Sequence, residues 1–226
     1  MLTIVIALLL SHAEPGQAAT RPPFREDSTV VARVQRDAHV ALRLSPAGRI
    51  VAVVGARTSF GSPSVFSVVR QRGPWIAVRT PELPNGRLAW VDSRHGLVYR
   101  RTAYQVEVDL SSRVLEVQGR AGVVLRTTVG IGRSSSPTPA GRYAITDKIR
   151  GRRYGRAFGC CILALSGNQT RLPSGWVGGT RIAIHGTSRP ETLGAPSSAG
   201  CLHASDASLR RLERLLPLGT PVVIHP

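Results

Sequence analysis

The sequence predicts a mainly β chain in two parts: a small all-β unit over residues 29–99, then a larger β-rich unit over 103–226 with one helix in its C-terminal region. Two observations carry that expectation. Short runs of β-branched residues recur through both parts, separated by turns rich in Gly, Pro and Asn. One segment, Ser205 to Leu216, instead spaces its leucines as a helix does. With 42% hydrophobic residues in 226, the chain can fill a packed core, and its composition is not that of a disordered protein.

The elements follow in order. Leu2 to Leu10 is apolar and Gly16-Gln17-Ala18 offers a small-x-small cleavage site, so residues 1–19 read as a secretory signal peptide, although no basic residue precedes the run. The run is shorter than the roughly 20 apolar residues of a membrane span. No cysteine follows it, so a lipid anchor is not expected. Residues 20–28, rich in Pro and charge, read as a linker. Strands are expected at Val30 to Val34, Val40 to Leu44, Ile50 to Val54, Val65 to Val69, Trp75 to Val78 and Leu88 to Val91. Trp75 and Trp90 are expected to plug the core of this small unit. Arg94 to Arg101 reads as a bridge to the second unit. That unit opens with strands at Val106 to Asp109, Val114 to Val117 and Val123 to Gly130, with a turn between Gly119 and Gly122. Lys148 to Arg156 reads as a basic loop. The helix takes Ser205 as its N-cap and Asp206 in its first turn, buries Leu209, Leu212, Leu215 and Leu216, and ends at Pro217 and Gly219.

The formal net charge is +17, and Lys148 is the lone lysine among thirty basic residues. So large a positive charge suggests an anionic neighbour such as a wall polymer, a lipid headgroup surface or nucleic acid, the alternative being a GC-rich genome that supplies arginine codons. Aromatic residues make up only 5%, and no basic-aromatic module for nucleic acid stands out, so nucleic acid is not expected as a partner. Of three cysteines, Cys160 and Cys161 are adjacent and would face opposite sides of a strand. They are expected to be two small buried residues, leaving Cys201 as the working thiol.

Chemistry concentrates near the end. Ile182 to Ile184 reads as a buried strand delivering His185, and sixteen positions on stands Ser198-Ala199-Gly200-Cys201-Leu202. A cysteine needs a base to become an effective nucleophile, and a histidine supplies one. A metal site built from His185, Cys201 and His203 lacks any His-Glu-x-x-His helix and is not expected; neither is a cofactor.

These residues resemble the L,D-transpeptidase (YkuD-like) catalytic domain. Its strand ending in His-Gly and its Ser-x-Gly-Cys loop are met by His185-Gly186 and by Ser198 to Cys201. Val108 to Ser111, Pro137 to Tyr143 and Leu218 to Ile224 are similar to three further landmarks, so the resemblance covers Tyr104 to Ile224. The segment Arg72 to Val78, with Pro84-Asn85-Gly86 and Trp90, looks like the SH3-like β-barrel that often precedes such domains. The resemblance implies acyl transfer on peptidoglycan stem peptides, giving 3→3 cross-links or, with water as acceptor, L,D-carboxypeptidase activity. It implies Cys201 as nucleophile and His185 as base, the ring oriented by the Gly186 carbonyl and the thiol driven toward thiolate. Backbone N–H groups of Gly200 and Cys201 would hold the oxyanion, with Ser198 bracing the loop. His203, Thr187, Arg152 and Arg153 would contact substrate. Carbapenem-type inhibitors and a location in the cell envelope are further implications. Ala199 stands where many members carry His or Lys, and His203 where the family usually has Arg or Asn. The alternative is a wall-binding protein with a decayed site.

Overall fold

The computed structural model describes residues 28–226; the expected signal peptide and all but Ser28 of the expected linker lie outside the described residues. The first unit contains β1 (Thr29–Val34), β2 (Val40–Arg43), β3 (Ile50–Val54), β4 (Val65–Arg72), β5 (Trp75–Val78), β6 (Ala89–Asp92) and β7 (Leu97–Thr102). They form one antiparallel sheet in the order β3-β2-β6-β5-β4-β1-β7. Its core is aliphatic, with Val30, Leu42, Ile76 and Val78 fully buried alongside Phe66. Trp90 is buried, whereas Trp75 stays half-exposed, with the Arg43 guanidinium 5.8 Å over its ring. One difference from the sequence reading concerns the bridge. Residues 97–102 are a full strand paired with β1 from Thr29↔Thr102 to Val34↔Leu97, so the first unit extends past residue 99.

The second unit contains β8 (Gln105–Asp109), β9 (Val114–Gly119), β10 (Gly122–Thr128), β11 (Ile131–Gly132), β12 (Gly141–Arg150), β13 (Cys161–Asn168), β14 (Arg181–His185), β15 (Pro196–Ser198), β16 (Leu202–His203), α1 (Asp206–Leu215) and β17 (Pro221–His225). Eight of these strands form a mixed sheet in the order β10-β9-β8-β17-β12-β13-β14-β16, and β11 pairs with β15 separately. The register is tight because one face is buried: Val106, Val108, Leu115 and Val117 alternate inward from β8 and β9. On the same core lies α1, capped by Ser205, whose Oγ accepts the Ser208 N–H at 3.1 Å. Leu209, Leu212 and Leu216 are fully buried there, and Arg210, Arg211 and Arg214 face solvent. At ten residues this helix is far shorter than a membrane span, and no helix among the described residues is long and apolar enough to cross one.

Lys148 belongs to β12 rather than to a basic loop, and its ammonium donates to the Glu213 carbonyl in α1. The segment after it is not open loop either: Gly151–Tyr154 and Arg156–Phe158 are short 3₁₀ turns.

The two units touch along several polar contacts. Asn85 acts as a strand surrogate, its Nδ2 donating to the Asn168 carbonyl at 2.7 Å while its Oδ1 accepts the Asn168 N–H at 2.8 Å. Arg79 donates to the Arg142 carbonyl at 2.8 Å. The Thr58 hydroxyl donates to the buried carboxylate of Asp147. Gly219, with φ of +83°, packs against Val31 and Val65, where any side chain would collide.

Candidate active site

Strands β14 and β16 run parallel with Ile184 opposite Leu202 and His185 opposite His203. Alternation then sorts the side chains. Ile184 and Leu202 enter the core, exposed by 0% and 1%. His185 and His203 face the other way, and so does Cys201, which packs on the aliphatic patch of Ile149, Ile162, Ala164 and Ala183. Over this face lies a cavity of about 500 Å³ lined by Cys201, His185 and His203 together with Tyr154, Phe158 and Trp176.

His185 Nδ1 lies 2.6 Å from the Gly186 carbonyl. A carbonyl only accepts, so Nδ1 carries the hydrogen and Nε2 is left as the acceptor. The ring is held between Phe158, centroids 4.8 Å apart, and His203 at 4.7 Å. Burial and then the neighbouring His203 lower its pKa to about 4, against the opposing pull of the Gly186 carbonyl. Burial pushes the Cys201 thiol up to about 11, with the Ala183 backbone acting weakly against it. Cys201 and His185 line one cavity, and no hydrogen bond joins sulfur to ring among the described residues. The resting pair is therefore a neutral thiol beside a neutral imidazole, not the plentiful thiolate that the resemblance implied. The physical reason is the apolar floor, which disfavours both charges.

The loop before Cys201 is braced from within and from outside. Ser198 Oγ donates to the Cys201 carbonyl at 2.6 Å and accepts the Gly200 N–H at 3.0 Å. Gly200 N–H is thus engaged within the loop itself. After Cys201 comes β16, and α1 starts at Asp206. Gly200 has φ of +117°, and a Cβ there would strike the side-chain amide of Gln169. Its smallness serves that contact. Buried Gln169 donates to the carbonyls of Pro137 at 2.8 Å and Ala199 at 3.2 Å, and fully buried Ser136 also donates to Ala199 at 3.1 Å. Neither residue was marked by any pattern in the sequence, since both lie far from the Cys201 loop along the chain.

Gly186 is fixed from the opposite side. Its N–H donates to the carbonyls of Phe158 at 3.0 Å and Cys161 at 3.3 Å, and a side chain there would hit Asp206 and Gly159. Here the structure corrects the expectation for the paired cysteines: Cys160 and Cys161 form a disulfide with each other, and Cys201 is free. The strand argument fails because β13 starts at Cys161, leaving Cys160 in the preceding turn.

The remaining expected residues divide. His203 sits in the cavity, its Nδ1 buried without a partner, and burial followed by Arg189 lowers its pKa, so it is not a standing cation replacing an arginine. Thr187 lies between this cavity and a second of about 540 Å³ lined by Arg152, Arg156, Ser188 and Asp206. Arg152 belongs only to that second cavity, and exposed Arg153 lines neither.

A mixed sheet here presents a buried histidine and a free thiol on one cavity floor. Residues 103–224 match the YkuD family, the L,D-transpeptidase catalytic domain, and the chain belongs to that family. A curated Bacillus subtilis (strain 168) protein named as an L,D-transpeptidase, YqjB, is 28% identical over 106 residues, covering 43% of this chain and 57% of the relative. The chain thus spans little more than half that relative's length. Among solved structures, an L,D-transpeptidase from Mycobacterium smegmatis is 14% identical, with 82% of this chain and 99% of that one covered at a TM-score of 0.44. L,D-transpeptidase 3 from Mycobacterium tuberculosis, solved with a faropenem-derived adduct, is 17% identical, with 62% and 73% covered at a TM-score of 0.43.

Proposed function

We propose that the protein is an exported L,D-transpeptidase that uses Cys201 to transfer acyl groups between peptidoglycan stem peptides. The observation that carries this reading is the shared cavity floor of free Cys201 and Nδ1-pinned His185 in a chain of this family. In the first step the Cys201 Sγ attacks the carbonyl before the terminal D-alanine of a tetrapeptide stem. A carbon–sulfur bond forms, the peptide carbon–nitrogen bond breaks, and the thiol proton passes through His185 Nε2 to the departing amine. In the second, the side-chain amine of another stem attacks the thioester, giving a 3→3 cross-link and returning the proton to sulfur; water in that place gives carboxypeptidase activity. The Cys201 N–H is the oxyanion donor this loop offers.

A wall-binding protein without turnover is the second reading, favoured by the neutral resting pair of Cys201 and His185. Intact-mass measurement after incubation with a penem or carbapenem decides between them. The unsubstituted protein should gain the drug's mass and Cys201→Ala should not. A folded, unsubstituted protein that gains nothing would establish the binder instead.

A further inference from the structure

The cavity wall is not built by the second unit alone. The loop between β3 and β4 turns at Thr58–Gly61, with the Gly61 N–H donating to the Thr58 carbonyl at 2.9 Å and the Thr58 N–H to Ser62 at 2.9 Å. Its flanks are pinned to β12. Thr58 donates to Asp147, and Ser62 Oγ accepts the Lys148 N–H at 3.2 Å. At the tip stands Phe60, half-buried, which lines the cavity and packs on the same aliphatic patch as Cys201. The Arg181 guanidinium lies 5.8 Å over its ring. Phe60 also begins a line of touching rings: Tyr154 at 6.3 Å, Phe158 a further 6.2 Å on, then His185 at 4.8 Å.

We infer that Phe60 is a specificity-determining residue: the first unit completes the binding cavity, and its ring receives aliphatic groups of the acyl donor. An aromatic edge above an aliphatic floor, with no free acceptor on either, selects methyl and methylene groups over charged ones. A stem peptide carries such groups beside its reacting carbonyl, so the inference rests on the proposed function for its ligand.

Calorimetric binding of a stem tetrapeptide to the full chain tests it, with Cys201→Ala as a background that cannot turn over. Adding Phe60→Ala should weaken binding about tenfold, equivalent to about 1.4 kcal/mol. Phe60→Leu, which keeps apolar volume without the ring, should weaken it about threefold. Affinities of both within twofold of the background would overturn the inference. If Phe60→Ala fails to fold in a thermal melt, Phe60→Leu is read alone by the same twofold limit. The penem adduct on the unsubstituted protein separates the two ideas. An adduct with indifferent Phe60 variants removes only the inference, and no adduct removes the transferase reading whatever Phe60 does.

Discussion

At Cys201 and His185, burial sets the chemistry more than proximity does. Each residue sits where an apolar floor penalises its charged form, so the thiol is held near 11 and the imidazole near 4. A small alkylating agent reports thiolate directly. Iodoacetamide should therefore modify Cys201 slowly at neutral pH, with a rate climbing through the alkaline range toward about 11. Mass spectrometry across a pH series checks this, and a plateau reached near neutrality would reveal a thiolate–imidazolium pair. Gly200 is the second residue whose identity is dictated locally. Its φ of +117° and its contact with Gln169 both exclude a side chain. Gly200→Ala should cost about 1–3 kcal/mol from backbone strain alone. Calorimetric melting should show the loss, and penem acylation should slow because Cys201 follows directly.

Among the elements, most strands were legible because β-branched runs bounded by Gly and Pro can do little else in a half-buried setting. β7 was not. It carries two adjacent arginines, so Leu97-Val98-Tyr99-Arg100-Arg101-Thr102 reads as charged linker until its pairing with β1 is seen. The helix was legible because the Ser205 cap, the leucine stripe and Pro217 are all local signals. Removing the cap tests that reading: Ser205→Ala should cost about 1 kcal/mol. For a domain of this size that is a fall in Tm of about 2–4 °C by calorimetry. The site was legible in part. His185 and Cys201 announce themselves by their immediate neighbours, whereas Gln169 and Ser136 reach the loop before Cys201, and Phe60 the cavity, through tertiary folding alone. The disulfide was missed for a related reason, since the point at which β13 begins decides which way Cys160 points.

At the scale of the whole molecule, directed hydrogen bonds join the two units, some of them from or to charged side chains. Asn85 is the key contact because one side chain satisfies both backbone groups of Asn168. Asn85→Ala leaves them unpaired, at about 1–3 kcal/mol each when water cannot reach them. The variant should melt several degrees lower, and a transition that splits in two would show the units parting first. An unchanged melt would mean that solvent replaces the amide without loss.

The place of β17 has a temporal meaning. It lies between β8 and β12, so that Val106 must await Val222 before its own strand gains a second neighbour. A nascent chain can assemble the first unit, and the hairpin of β8 with β9, early in synthesis. The middle of the second unit's sheet stays unfinished until residues 221–225 have been made. Throughout that interval a partly synthesised copy carries the Cys201 thiol before the sheet that holds it is complete.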